Sequence, residues 1–162
     1  MELYLIRHGI ATERGINTKD EERTLTDLGR QRTRKVAQRL YQLGLRFDWI
    51  LTSPLVRARQ TAEILRASGL SSQVEESTYL APGGNIYAWL MSIEQWHQEP
   101  ETMALIGHQP DLGQWAEILI WGEARSKLVL KKAGIIGLTL PFMVEPVGRS
   151  QLFWLTPPKF LL

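Results

Sequence analysis

Short apolar runs, each bounded by polar or glycine residues, predict the strands of an α/β sheet. They cover residues 2–6, 48–52, 102–106, 135–140 and 151–155, with a more polar edge strand over 71–78. Between these runs, apolar residues recur at helical spacing and predict helices that start near 26, 53, 86 and 111. Strands that alternate with helices are typical of parallel sheets. We therefore predict an α/β three-layer sandwich, with a mostly parallel central sheet and helices on both faces.

The first two helices have recognisable start and stop residues. Thr26 is a good N-cap for the first helix, and Gly44 suits its C-terminal end. The buried face of this helix is predicted to carry Leu28, Val36, Leu40 and Leu43. For the second helix, we predict Ser53 as N-cap and Pro54 as the first helical residue.

Length and composition indicate an ordinary globular chain. The 162 residues are 44% hydrophobic and 22% charged, so we expect one domain spanning 1–162. A formal net charge of +2 is too small to indicate a nucleic-acid partner. The chain has no cysteine, which excludes disulfides and thiolate metal sites.

The remaining composition signals concern metals and membranes. The histidines are His8, His97 and His108, and none of them has a second histidine at close metal-ligand spacing. We therefore expect no metal or other cofactor, and we interpret His97 as a helix-end or surface residue. No segment is apolar enough to span a membrane, and early charges interrupt any signal peptide. A cytoplasmic protein without a membrane partner is expected.

The first strand leads directly into Arg7, His8 and Gly9. Ligand sites of such sheets lie beyond the carboxyl ends of the strands. Arg7 offers paired donors that fit phosphate oxygens, and His8 can act as nucleophile, acid or base near neutral pH. Gly9 would let the backbone pass close to a ligand. Because this triplet also occurs by chance, further partners are needed before it indicates a site.

Two other strand-to-helix junctions supply such partners. Arg57 falls in the first turn of the second helix, where a bound anion would offset its poor placement relative to the helix dipole. His108 follows the apolar run 102–106. If these strands are neighbours, both side chains converge with Arg7 and His8 into a pocket for a phosphoryl group. Arg23 ends the polar loop 10–23, and either points at the same anion or is a solvated charge.

The segments that carry these residues resemble the histidine phosphatase superfamily, whose fold is the phosphoglycerate-mutase-like one. The matching pieces are Leu5–Gly9, Leu25–Gly29, Thr52–Thr61 and Leu105–His108. The short chain and the segment 80–84 are similar to the small branch of protein phosphohistidine phosphatases typified by SixA.

This resemblance implies roles for the candidate residues. His8 would be the nucleophile and would form a phosphohistidine intermediate that water hydrolyses. Arg7, Arg57 and His108 would hold the phosphoryl oxygens, with Gly9 and Arg23 as further substrate-binding residues. The implied partner is a phosphorylated protein such as a histidine phosphotransfer domain, with phosphate as product.

One departure from the family pattern bears on the substrate. Many larger members carry, in the segment corresponding to 80–84, a glutamate that protonates an alkoxide leaving group, whereas this chain has no carboxylate there. An imidazole leaving group needs less help than an alkoxide, which favours phosphohistidine over phosphate esters. His108 or Glu13 could replace the missing acid.

Other functions stay open at this stage. A small-molecule phosphomonoesterase of the same fold is the nearest alternative, and a phosphate-binding regulatory protein without turnover is a more distant one. A mutase would need a closed site, for which no long insertion exists. The basic residues near the last helix could meet an acidic partner; they are Arg125, Lys127, Lys131 and Lys132.

Overall fold

A computed structural model describes residues 1–96, 100–141 and 143–162. His97, for which the sequence suggests a helix end or the surface, lies outside these described residues. Within the described ranges, no helix is long and apolar enough to cross a membrane.

A six-stranded mixed sheet forms the centre of the fold. Its strands are β1 (Glu2–Arg7), β2 (Trp49–Thr52), β3 (Val74–Glu76), β4 (Thr102–Gly107), β5 (Ile135–Thr139) and β6 (Gln151–Thr156). They lie in the order β3-β2-β4-β1-β5-β6, and the first four are mutually parallel. β5 and β6 add an antiparallel hairpin beside β1. The predicted mostly parallel sheet and its polar edge strand are confirmed.

Among the described residues, four α-helices cover the two faces of this sheet. They are α1 (Asp27–Gln42), α2 (Val56–Ala67), α3 (Ile86–Ile93) and α4 (Asp111–Trp121). Successive β1 side chains point to opposite faces: Tyr4 and Ile6 join the core under α1 and α2, whereas Leu3 and Leu5 join the core under α3 and α4. The predicted three-layer sandwich is therefore confirmed.

The predicted buried face of α1 is partly wrong. Val36 and Leu40 are buried, but Leu28 and Leu43 are 48% and 49% exposed. The buried stripe runs instead through Gly29, Thr33, Val36, Ala37 and Leu40. This position of the buried stripe results from close packing against the preceding loop, because a Cβ on Gly29 would lie 2.0 Å from the carbonyl oxygen of Ile10. The N-cap is confirmed, since Thr26 Oγ1 accepts from the Gly29 N–H at 2.9 Å.

The predicted start of α2 is also wrong. The helix begins at Val56, and its N-cap is Leu55, which makes no side-chain cap. Ser53 lies ahead of the helix, where its Oγ accepts from the Leu55 N–H at 3.3 Å and lies 2.7 Å from Nε2 of His108. Arg57 nevertheless falls in the first turn of α2, as the sequence predicts.

Candidate active site

Three adjacent parallel strands end at one edge of the sheet and bring the predicted residues together. β2, β4 and β1 are consecutive in the sheet, so their carboxyl ends point the same way. The rings of His8 and His108 lie 5.2 Å apart between centroids. Arg57 reaches the same place from α2, and its Nε lies 3.3 Å from His8 Nε2. His8, His108 and Arg57 are each only 4% exposed.

Two hydrogen bonds define the tautomer of His8. Its Nδ1 lies 2.7 Å from the carbonyl oxygen of Gly9, which can only accept, so Nδ1 must carry the proton. Its Nε2 faces the Nε–H of Arg57, which can only donate, so Nε2 must present a lone pair. Both contacts require the same neutral ring, with the proton on Nδ1 and the electron pair on Nε2.

The electrostatics of the pocket keep both histidines neutral. Burial is the largest effect on His8 and, with the nearby positive charges of Arg57 and Arg7, lowers its pKa to about 3, even though the Gly9 carbonyl favours the charged form. For His108, burial and then the charge of Arg57 lower the pKa to about 4. A neutral imidazole is the form that can act as a nucleophile.

Gly9 connects the end of β1 to both flanking helices. Its N–H donates to Thr61 Oγ1 at 3.1 Å, and the Thr61 hydroxyl donates to the Arg57 carbonyl oxygen at 2.8 Å. A Cβ at Gly9 would lie 2.4 Å from Thr33 Oγ1 on α1. The structure thus gives close helix packing as a reason for glycine here, and the substrate-binding role of Gly9 stays a prediction.

Arg7 is held by the segment that follows α4. Its Nη1 donates to the carbonyl oxygen of Leu130 at 3.0 Å. Further along this segment, the Ala133 N–H donates to the Arg7 carbonyl oxygen at 3.0 Å. Gln109, directly after His108, bonds to the same segment through the Leu128 carbonyl at 3.1 Å. One loop therefore fixes Arg7 and the residue beside His108.

A buried carboxylate organises that loop. Glu117 on α4 is fully buried and accepts four backbone N–H groups at 2.5–2.7 Å. The donors are Arg125, Ser126, Lys127 and Leu128. Burial by itself would raise the pKa of Glu117, but these donors outweigh it and lower the pKa below its usual value.

Two polar atoms of the pocket are buried and have no hydrogen-bond partner among the described residues: Arg7 Nε and His108 Nδ1. Buried polar atoms are rarely left unpaired in proteins. Arg7 Nε is an obligatory donor. The atoms suit a site that receives an anionic ligand.

Asp20 joins the loop 10–23 to this pocket. It lies in a 3₁₀ turn (Asp20–Glu22), and its Oδ2 is 3.1 Å from Arg57 Nη2. Its carbonyl oxygen accepts from Arg57 Nη1 at 2.7 Å. Arg23 Nε lies 3.1 Å from Asp20 Oδ1, a close ion pair without a well-aligned hydrogen bond. The predicted Arg23 is thus near Arg57, through a shared carboxylate.

Sequence reasoning missed Asp20 and Ser53. Asp20 stands among other charged residues of a polar loop, a pattern that normally indicates a solvated surface. Ser53 precedes a proline and therefore has the local signature of an N-cap. In both cases the actual partner is distant in sequence, and no local signal identifies it.

The two candidate replacements for the missing acid differ in position. His108 lies in the pocket, whereas Glu13 is exposed and forms no hydrogen bond within the described residues. The segment 80–84 is tied to α4 by a hydrogen bond from the Gly83 N–H to Asp111 Oδ2 at 3.0 Å.

In the part of the chain that the structure describes, no group of three or more acidic or histidine side chains could hold a metal ion.

The fold and this cluster of arginine and histidine side chains are those of a phosphoryl-transfer protein of the phosphoglycerate-mutase-like class. The family described as histidine phosphatase superfamily (branch 1) matches residues 3–80. An uncharacterized protein of Picosynechococcus sp. is 51% identical, with 100% of this chain and 99% of that protein covered. The chain belongs to the histidine phosphatase superfamily and is a phosphatase.

Two further comparisons place the chain within that superfamily. The structure of the protein histidine phosphatase SixA complexed with tungstate is 26% identical, covers 100% of both chains and gives a TM-score of 0.82. The fold is thus the small SixA form. The serine/threonine-protein phosphatase Pgam5 of Drosophila grimshawi is 41% identical over 63 residues, which are 39% of this chain. The match spans only 21% of that longer protein.

Proposed function

We propose that the protein is a protein phosphohistidine phosphatase in which His8 is the nucleophile. The observation that carries the proposal is the pair of contacts on the His8 ring: Nδ1 donates to Gly9, and Nε2 faces Arg57. They leave a lone pair beside a guanidinium group that can hold a phosphoryl oxygen. The ring needs no deprotonation before attack, because its pKa is lowered to about 3.

In the first step, the His8 Nε2 lone pair forms a bond to phosphorus as the bond to the leaving group breaks. For a phosphohistidine substrate, the leaving electron pair stays on the substrate imidazole. When that ring has taken up a proton from solvent on its other nitrogen, it departs as a neutral imidazole. Throughout, His8 Nδ1–H remains bonded to the Gly9 carbonyl, which stabilises the positive charge that develops on the ring.

In the second step, water attacks the phosphohistidine. An O–P bond forms, the N–P bond breaks, and its electron pair returns to His8 Nε2. The proton lost by water passes to solvent or to a phosphate oxygen, so that inorganic phosphate is the product.

Arg7, Arg57 and His108 would stabilise the charge on the transferring group. Arg57 lies against the nucleophile, and Arg7 has a buried Nε without a partner among the described residues. A Ser53 hydroxyl that donates to His108 Nε2 would place the proton of His108 on Nδ1, where it can donate to a phosphoryl oxygen. Such preorganised donors are worth about a hundredfold or more in rate each.

The substrate class is inferred from the groups of the site that could protonate a leaving group. The segment 80–84 carries no carboxylate, and His108 has a pKa lowered to about 4, so it is a poor acid at neutral pH. The carboxylate of Asp20 stays ionised, because its contacts with Arg57 and Arg14 outweigh burial and lower its pKa. An alkoxide leaving group would lack a strong acid, whereas a protonated imidazole departs without one. The structural similarity to the protein histidine phosphatase SixA supports the same substrate class.

A phosphorylated protein with an acidic surface is the proposed partner, and a histidine phosphotransfer domain is one such protein. Lys131, Lys132 and Arg14 are exposed. The charges of Arg7, Arg23 and Arg57 act on Lys132 and contribute to its lowered pKa, which indicates that this lysine shares the field of the pocket. Complementary charge across such a rim speeds association with an acidic partner.

The test is to trap and identify the intermediate. Brief incubation with a phosphohistidine-containing protein should leave an acid-labile phosphate on His8, and ³¹P NMR should place it on Nε2. His8→Ala should stay folded and form no phosphoenzyme. Phosphate on another residue, or phosphate on Nδ1 of His8, would contradict the mechanism.

The substrate class is tested separately. Rates with phosphohistidine-containing protein and with small phosphate esters should be compared at equal enzyme concentration. We expect a large preference for the phosphohistidine. A large preference for the esters would indicate a small-molecule phosphomonoesterase of the same fold.

A further inference from the structure

Asp20 places a carboxylate on Arg57, one of the guanidinium groups that the proposed mechanism assigns to the phosphoryl group. Its Oδ2 lies 3.1 Å from Arg57 Nη2, and its Oδ1 lies 3.1 Å from Arg23 Nε and 3.0 Å from Arg14 Nε. The Asp20 side chain is 29% exposed, whereas that of Arg57 is 5% exposed. A bound phosphoryl group would likewise be a negatively charged group in contact with several arginines.

The hydrogen bonds of Arg57 leave room for both anions. A guanidinium group has five N–H donors. One faces His8 from Nε, one binds the Asp20 carbonyl from Nη1, and one binds the Asp20 carboxylate from Nη2. The other two hydrogens, one on each Nη, are free of these contacts. A phosphoryl group can therefore bind Arg57 while Asp20 stays in place.

Asp20 then lowers the net positive charge that a phosphoryl group meets. Arg7, Arg23 and Arg57 already act on one another and on Lys132 through their charges. Without a counter-charge, this cluster would hold a dianion strongly before and after the reaction. Equal stabilisation of substrate and product does not speed the chemical step, and it slows product release.

We propose that Asp20 is an internal counter-anion that sets how weakly the site binds free phosphate, so that the product leaves after each turnover. The identity of the anion rests on the proposed function. Asp20 determines affinity for the anion through charge and takes no part in proton transfer.

The chain allows this charge to be removed with little change in the loop. Arg57 Nη1 bonds to the backbone carbonyl of Asp20, which an asparagine keeps. The loop is also held by Arg23 Nη1, which donates to the Thr12 carbonyl at 3.0 Å, and by the Thr12 N–H, which donates to the Thr24 carbonyl at 2.9 Å. Asp20→Asn therefore tests the charge rather than the fold of the loop.

Glu21 offers a matched control. It lies in the same 3₁₀ turn, is exposed, and makes no ion pair within the described ranges. Glu21→Gln removes the same charge from the same segment. Asp20→Glu keeps the negative charge at position 20 but lengthens the side chain, so it separates the effect of charge from the effect of side-chain shape.

The experiment is calorimetric titration of inorganic phosphate into the wild type and the three variants, at one ionic strength, with circular dichroism to check folding. We expect Asp20→Asn to bind phosphate about tenfold more tightly, and Asp20→Glu and Glu21→Gln to stay within about threefold of the wild type. Unchanged or weaker binding by Asp20→Asn would overturn the proposal, as would no binding by any of the proteins.

Steady-state kinetics supply a second readout. If Asp20 acts as a counter-anion, Asp20→Asn should lower both KM and kcat, because substrate and product are both held more tightly. A carboxylate that only held the loop in place would, when removed, raise KM and weaken phosphate binding. If the wild type binds phosphate but forms no phosphohistidine, the proposed function fails, whereas the affinity comparison still decides the role of Asp20.

Discussion

Arg57 Nε lies 3.3 Å from Nε2 of His8. The cation that is proposed to hold the phosphoryl group therefore also contacts the nitrogen that is proposed to attack it. This contact joins the first turn of α2 to the end of β1. The same two elements are tied by the backbone, since Thr61 links the Gly9 N–H to the Arg57 carbonyl oxygen. The pairing of cation and nucleophile is therefore built into the packing of the fold.

Replacement of Arg57 tests this pairing. We expect Arg57→Ala to lower kcat/KM by about a hundredfold or more, because it removes donors to the transferring group. Arg57→Lys should recover little of this loss, since one ammonium cannot replace three guanidinium nitrogens that point at His8 and Asp20. The measurement is steady-state kinetics on the substrate that the wild type turns over.

Arg59 on the same helix is the matched control. It is half-exposed and pairs with Glu76 at 3.3 Å. We expect Arg59→Ala to leave kcat/KM within about twofold, since exposed pairs contribute little. A similar loss in both variants would argue against a specific role for Arg57.

The two buried histidines should make stability depend on pH. Their pKa values are lowered from 6.5 to about 3 for His8 and about 4 for His108. Between those values and 6.5, the unfolded chain binds protons that the folded chain does not, so stability should fall as the pH decreases. The slope of the free energy of unfolding against pH should approach about 1.4 kcal/mol per pH unit for each histidine once the pH is below 6.

Urea unfolding between pH 7 and pH 5 measures this effect. Most of this window lies above the range in which the carboxylates with lowered pKa values take up protons. The double variant His8→Asn with His108→Asn should lose most of the slope, whatever its stability at pH 7. An unchanged slope would show that neither ring is kept neutral by the fold.

The sequence predicted the sheet well because its strands carry their own pattern. Leu3 and Leu5 alternate with Tyr4 and Ile6 between the two faces, and the runs 2–6 and 102–106 end at Arg7 and Gly107. The phase of α1 was harder to predict, because the positions that pack most closely are Gly29 and Thr33, which hydrophobic spacing does not count. A buried helix face that consists of small residues cannot be predicted from hydrophobic spacing, because it depends on the loop that packs against it.

The candidate site shows the same limit. Arg7, His8, Arg57 and His108 each follow or flank a strand end, so parallel pairing alone predicts that they meet. Asp20 and Ser53 belong to the site through contacts that span 37 and 55 residues, and their local sequence indicates other roles. In the sequence, Glu117 looks like one polar position on α4, whereas it orders the loop that follows this helix through residues 8 to 11 positions away.

Glu117 offers a prediction for stability. We expect Glu117→Gln to lower the free energy of unfolding by roughly 2–4 kcal/mol, because four backbone N–H groups lose a charged acceptor. Glu123→Gln is the control, since Glu123 pairs with Arg125 at the surface and should matter by less than about 0.5 kcal/mol. Urea titrations of both variants measure the difference, and equal stabilities would contradict the assigned role of Glu117.

A final prediction separates two reasons for glycine at position 9. A Cβ there would lie 2.4 Å from Thr33 Oγ1, so Gly9→Ala should destabilise the protein by about 1–3 kcal/mol and lower activity. If packing against α1 is the reason, Thr33→Ala added to Gly9→Ala should restore most of both, because it removes the colliding oxygen. If the glycine is needed for close approach of the substrate, the double variant should regain stability but not activity. Unfolding and kinetic measurements on the two single variants and the double variant form a complete cycle that distinguishes these outcomes.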